Sequence, residues 1–230
     1  MGWTITTLVK SYRGDGVKGE RLKEAHSQVT LRPLPFWENL VADAEVNLAP
    51  EQKPKTGWSR FVCCLKAALG ASGFRLMILY RIGHTLQFRF GLPGKIISAL
   101  IHRWLWLWYA CKIQMPARLH GGVSIPHTHG VIIGADVVIG PRSWIFHNVT
   151  MGLKPGHKQG MPHIGSDVTI YTGVVLAGPI TIGDNVMIGA NSVIAHDIPS
   201  HSLVRSNIEI LPLPEKFIVK DRAPIDSLNS

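Results

Sequence analysis

The sequence is read as a mainly β protein with an α-helical N-terminal part and a β-solenoid for its second half. Large aliphatic residues recur every six positions through that half, and a second series, mostly Val, sits four positions after them. Upstream, apolar residues fall at three- and four-residue steps instead, as on helices.

The six-residue series runs Ile113, Leu119, Ile125, then Ile133, Ile139, Ile145, Met151, then Ile164, Ile170, Leu176, Ile182, Ile188, Ile194. The second series is Val137, Ser143, Val149, Val168, Val174, Ile180, Val186, Ser192 and Ile198. A period of six matches neither a helix nor an alternating strand. It matches a coil in which each hexad supplies one short strand and one turn, with the aliphatic side chain stacked inward on its equivalents. Gly, Asp and Asn suit the turns, where φ can be positive. A single hexad is an ordinary strand and turn; a series this long in one phase is a solenoid. Asp136, Asp167 and Asp184, just after turn glycines, are turn residues on this reading.

The phase breaks twice. Two extra residues lie between Ile125 and Ile133, in Pro126-His127-Thr128-His129-Gly130, and seven between Met151 and Ile164. A coil kept in register expels extra residues as a bulge or loop, and loops on a rigid scaffold are where sites are built. Four of the 11 histidines fall in these interruptions: His127, His129, His157 and His163.

The helical part spans residues 58–111. Phe61, Leu65 and Leu69, then Leu76, Leu79, Ile82 and Leu86, keep helical spacing, and Gly91-Leu92-Pro93-Gly94 separates two helices. Residues 1–57 read as a partly irregular extension with a short helix near Phe36–Val46. Residues 112–204 form the solenoid, and 205–230 an irregular tail.

Composition bounds the function. With 46% apolar and 17% charged residues, the chain is not of the disordered class. A net charge of +9 favours an anionic partner: nucleic acid, a membrane surface or a phosphorylated ligand. Dispersed basic residues carry no nucleic-acid module, so no such partner is expected. The three cysteines form no regular framework, and a reducing cytoplasm is the simplest setting. No signal peptide is visible over Met1–Asp15. Ile96–Cys111, the most apolar stretch, is short for a span and holds His102 and Arg103. Peripheral membrane contact stays open. For the aromatic cluster Arg103–Tyr109, packing against a neighbouring helix or the top of an oligomer is expected, with insertion into a membrane interface as the alternative.

Three segments resemble the serine acetyltransferase group of hexapeptide-repeat acyltransferases. They are Tyr80-Arg81-Ile82-Gly83-His84-Thr85-Leu86 before the repeats, Ile125 to Gly134 across the first break, and Val149-Thr150-Met151-Gly152 with Pro162-His163-Ile164-Gly165 around the second. The resemblance implies a left-handed parallel β-helix, an exception to the right-handed crossover rule. It also implies a homotrimer with acetyl-CoA in the groove between solenoids, no metal requirement, and His127 as general base. A neutral imidazole there takes the proton of an acceptor hydroxyl as its oxygen attacks the thioester. With no Cys in the repeats and no Ser–His arrangement, transfer is expected to be direct. His129, His147 and His163 are candidate substrate-binding residues, each also readable as a loop or structural residue. Gly152, Gly173, Ala190 and Ser192 are the small positions expected along CoA. Lys154 and Lys158 are available to its phosphates.

The chain departs from the family pattern. Lys112 stands where a carboxylate orients the histidine, and Pro126 replaces the preceding aspartate. Gly160 and Met161 align with an Arg–His pair that grips the serine carboxylate. Arg205-Ser206-Asn207 replaces a C-terminal loop. On these grounds the expected acceptor is a saccharide hydroxyl of a capsule or exopolysaccharide, since a site lacking charge partners rejects a charged substrate. The alternatives are serine, as in cysteine biosynthesis, a metal-dependent solenoid like the hexapeptide-repeat carbonic anhydrases using His127, His157 and His163, and an inactive scaffold.

Overall fold

A computed structural model describes residues 35–47, 57–153 and 160–206. The expectations for residues 1–34 and 207–230, and those for Lys154, His157 and Lys158, lie outside the described residues.

Four helices come first: α1 (Phe36–Glu45), α2 (Gly57–Gly70), α3 (Ser72–Arg89) and α4 (Gly91–Tyr109). The break between α3 and α4 falls at Phe90–Gly91, where Gly91 takes φ +56°. Pro93 sits in the first turn of α4, where its missing N–H costs nothing. α4 then crosses α3 at Gly94, where a Cβ would stand 2.1 Å from the Leu86 carbonyl oxygen. A second break was not evident from spacing: α2 and α3 meet at 114° around Ala71. Arg75 stabilises it by donating to the last carbonyls of α2, Ala68 at 2.9 Å and Leu69 at 3.2 Å.

α1, α2 and the start of α3 share a small core of Leu40, Val41, Ala44, Cys63, Cys64, Ala67 and Phe74. On α2, Phe61, Leu65 and Leu69 keep helical spacing but point to solvent. The tryptophans of the Arg103–Tyr109 cluster are also exposed within the chain, and Leu105 alone in that run is fully buried.

The second half is a triangular parallel β-coil. The first turn holds β1 (Lys112–Ile113) and β2 (Arg118–Leu119); the second β3 (Ile132–Ile133), β4 (Val138–Ile139) and β5 (Trp144–Ile145). The third holds β6 (Thr150–Gly152), β7 (His163–Ile164) and β8 (Thr169–Ile170); the fourth β9 (Val175–Ala177), β10 (Thr181–Ile182) and β11 (Met187–Ile188). The fifth holds β12 (Val193–Ile194) and β13 (Leu203–Val204). Stacked turns make three parallel sheets: β1-β3-β6-β9-β12, β2-β4-β7-β10 and β5-β8-β11-β13. Isolated bridges, Ser124 to Trp144 and Ile182 to Ile198, complete the faces that lack a strand.

Every member of the six-residue series is buried, between 0% and 4% exposed. The second series is buried too, Ser143 and Ser192 included. Left-handed backbone falls at the corners, at Asp136, Asn148, Asp167, Asn185 and Asn191, as turn chemistry requires. Arg142 takes the same conformation at φ +59° and pairs with the Asp167 carboxylate, Nε to Oδ1 at 2.7 Å.

The Tyr80–Leu86 segment docks the helices on the first coil. The Tyr80 hydroxyl donates to the Ala117 carbonyl at 2.6 Å. Gly83 leaves room for Met115, whose Sδ a Cβ would meet at 2.9 Å.

Candidate active site

The two-residue insertion sits at the corner between the third face of one coil and the first face of the next. Its ends are pinned by backbone bonds. The Gly130 N–H donates to the Ala110 carbonyl and the Asn148 N–H to the His129 carbonyl, both at 3.0 Å. From the helical side, Gly73 presses on the Ile125 carbonyl, where a Cβ would lie 2.1 Å from the oxygen. Between these anchors Thr128 is buried, while His127 and His129 point outward.

Coil stacking builds the surroundings of His127. His147 sits one coil further on, edge-on to His127 with ring centroids 5.7 Å apart. Phe146 lies 6.2 Å from the His127 ring and stacks on Tyr171, one more coil along, at 5.2 Å. The four rings form a ladder along one corner, and neither Phe146 nor Tyr171 was singled out from sequence. The signal existed: with the hexads in register, each corner position recurs one coil later. Among the described residues, His147 Nδ1 is buried with no hydrogen-bond partner, and no carboxylate bonds to His127. The His147 backbone is fixed, its carbonyl accepting from Thr172 Oγ1 at 3.1 Å and from the Gly173 N–H at 3.2 Å.

The structure separates other candidates from this corner. His163 is exposed on β7, in the second sheet, so it is on a different face. Lys112 is exposed on β1 and lines an open depression of about 280 Å³ with His102, Arg103 and Trp106. Among the described residues, Gly152 has nothing within 4 Å of a would-be Cβ. Gly173 has a backbone reason to be glycine: at φ +71° its Cβ would meet Asn191 Oδ1 at 2.1 Å. Ala190 is exposed, whereas the Ser192 hydroxyl is committed to the Gly189 carbonyl at 2.6 Å and to Ser206. Ser192 borders a second depression of about 420 Å³ that also holds His196 and Arg205. Among the described residues no three His, Cys, Asp or Glu side chains gather as for a metal, and His157 lies outside them.

A parallel coil of in-phase hexads with a histidine-bearing corner bulge defines a hexapeptide-repeat acyltransferase. The bacterial transferase hexapeptide model (six repeats) matches residues 161–196. The chain is 28% identical to a serine acetyltransferase of Synechococcus elongatus over 84% of its own length and 73% of the relative's. It is 33% identical to that of Helicobacter pylori, over 65% and 83%. A putative colanic acid biosynthesis acetyltransferase of Escherichia coli is 30% identical, over 64% and 88%. The crystal structure of Neisseria gonorrhoeae serine acetyltransferase in complex with serine superposes with a TM-score of 0.62 at 27% identity, covering 75% of this chain and 67% of that one. The chain belongs to the serine acetyltransferase-like family of hexapeptide-repeat enzymes, and its coil is the left-handed β-helix of that family.

The comparisons correct one expectation. Serine acetyltransferases stand first among the relatives and supply the structural match, which overturns the saccharide hydroxyl as acceptor and a place in polysaccharide synthesis. The uncharged acceptor was inferred from Gly160 and Met161. The Met161 thioether packs on Gly134 and the solenoid core, so it is not an exposed loop position at which a carboxylate grip is lost. A missing Arg–His pair at Gly160 and Met161 does not strip this loop of cations, since Lys154 and Lys158 stand within it.

Proposed function

We propose that the protein transfers the acetyl group of acetyl-CoA directly to the hydroxyl of serine, with His127 as general base. The observation that carries this reading is the placement of His127. It is exposed on a bulge whose backbone is anchored at both ends, and its ring rests against Phe146 and His147. The neutral imidazole accepts the serine hydroxyl proton while the oxygen adds to the thioester carbonyl. The tetrahedral intermediate then collapses, the C–S bond breaks, and the CoA thiolate takes the proton back from His127. Restraint by aromatic contacts takes the part of the orienting carboxylate. His147, beside His127 at the corner, is the histidine best placed to meet the acceptor.

The two phase breaks lie at different corners, the bulge before β3 and the longer loop between β6 and β7. Within one chain a full face of the prism separates them. This supports a trimer in which the loop of one solenoid faces the bulge of its neighbour. The loop carries the cations Lys154 and Lys158, suited to a serine carboxylate or CoA phosphates, and His157. The space that the described residues leave at Gly152 and the depression bordered by Ser192, His196 and Arg205 support a CoA groove along the coil. Free, buried cysteines support a reducing cytoplasmic setting.

The test is purified full chain with acetyl-CoA and L-serine, product read by mass spectrometry. O-acetylserine should form, and His127→Ala should lower kcat by about 10²- to 10⁴-fold with the fold intact. Absence of turnover with serine by a protein that binds acetyl-CoA overturns the acceptor. An active His127→Ala overturns the base.

A further inference from the structure

α4 packs along α3 and the solenoid core on one side only, with Ile101 and Tyr109 partly buried there. Its buried residues are Gly94, Ser98 and Leu105. Positions four apart follow one stripe of a helix, and on α4 that stripe is Leu92, Ile96, Leu100, Trp104 and Trp108. These side chains are between 43% and 71% exposed. The helix is amphipathic with its apolar sector turned away from the protein.

Charge says what covers it. Between Glu51 and Asp136 the sequence contains no Asp or Glu. Lys and Arg recur through the same stretch, exposed at Lys66, Arg75, Arg89, Lys95, Arg103 and Lys112. The solenoid, by contrast, carries Asp136, Asp167, Asp184 and Asp197 on its surface. A second copy seated on α4 about a two-fold axis would set Lys95 and Arg103 against their own equivalents, with no carboxylate on α2 to α4 to neutralise them. An anionic lipid surface meets both demands. Its interface accepts Leu, Ile and Trp side chains, and its phosphates attract the cations.

We propose that α4 is a docking helix that lies in the plane of an anionic phospholipid surface and seats the enzyme there. No single helix among the described residues is long and apolar enough to cross a membrane. The bent pair α2–α3 meets the length and composition criteria jointly, but it commits Phe74, Met77 and Tyr80 to the core, all at most 1% exposed. Contact is therefore along the surface. The inference is independent of the acceptor.

The experiment uses the full chain with vesicles of phosphatidylglycerol and phosphatidylcholine in equal parts, against phosphatidylcholine alone. Cosedimentation should favour the anionic vesicles by about tenfold and weaken with salt, and tryptophan emission should shift to the blue. Leu100→Gln/Trp104→Gln/Trp108→Gln and, separately, Lys95→Glu/Arg103→Glu should each lose about tenfold in binding. All five side chains are exposed, and the charge variant leaves the apolar stripe intact should the triple variant fold poorly. Equal binding to both vesicle types, no binding to either, or wild-type binding by both variants overturns the proposal. A triple variant of smaller oligomeric mass, with vesicle binding unchanged, assigns the face to a second copy and also overturns it.

Discussion

Arg81 of α3 grips Asp43 of α1 with two bonds, Nε to Oδ2 at 2.9 Å and Nη2 to Oδ1 at 3.1 Å, and both residues then reach the first coil. Arg81 donates to the carbonyls of Leu119 and His120, and Asp43 Oδ1 accepts the Gly122 N–H at 2.8 Å. The two side chains are 8% and 0% exposed. Burial pushes the Asp43 carboxyl above its ordinary range, opposed by the Arg81 guanidinium and the Gly122 amide. The pair is thus the rivet between α1, α3 and the solenoid.

Removing one partner strands the other charge in a dry site. Asp43→Ala should cost about 3–5 kcal/mol of unfolding free energy, measured by denaturant titration. Asp43→Asn keeps the acceptor for Gly122 and should cost less. A loss below about 1 kcal/mol for Asp43→Ala, the level of an exposed pair, contradicts the assignment.

Gly73 offers a second check, because it touches the backbone of Ile125, two residues before His127. Its would-be Cβ lies 2.1 Å from the Ile125 oxygen, so α3 or the bulge must move. Gly73→Ala should destabilise by about 1–3 kcal/mol and lower activity, through kcat more than through KM. Gly70→Ala, with nothing within 4 Å, should leave kcat unchanged. Equal behaviour of the two variants in thermal unfolding and in assay refutes the contact.

These contacts mark where sequence reading succeeds and stops. The solenoid was legible because its core is periodic: each inward position repeats in the chain as it repeats in space. The bulge was legible for the same reason, as a break in that period, and it isolated His127. The rivet was not, since Asp43 and Arg81 are 38 residues apart and no local pattern links them. The bend at Ala71 escaped because helix-forming spacing continues on both sides of it. Arg142 took a corner where Gly, Asn or Asp is expected, held by Asp167. At the site, Phe146 and Tyr171 carried no motif; only the stacking of successive coils brings them to His127. The acceptor was misread from the lack of an Arg–His pair at Gly160 and Met161, although Lys154 and Lys158 stand in the same loop.

The thiols give a third prediction. Cys111 is fully buried and its thiol is pushed up to about 12 by burial alone; Cys64 is pushed up to about 11, mainly by burial. Thiolate is the reactive form. A disulfide reagent near neutral pH should label none of the three cysteines in the native protein and all three in denaturant. Rapid native labelling of any one contradicts the buried core shared by α1, α2 and α3 or the seat of β1.

Acid sensitivity follows from three half-buried histidines at the helix–solenoid junction. His84, His102 and His120 all have lowered pKa values, first through burial and then through neighbouring cations. Those cations are Arg81 and Arg118 beside His84 and His120, and Lys112 beside His102. Each folded-state pKa lies below the unfolded value of about 6.5, so near that pH the unfolded chain binds more protons. Stability therefore falls as pH drops through about 6.5 and levels off once the folded-state values are passed. Above that range these residues stay neutral in both states and contribute no slope. Denaturant midpoints between about pH 7.5 and 5.5 should decline, and His84→Gln/His102→Gln/His120→Gln should flatten the decline. A midpoint that rises on acidification, or a triple variant with the wild-type slope, places the acid response elsewhere in the molecule.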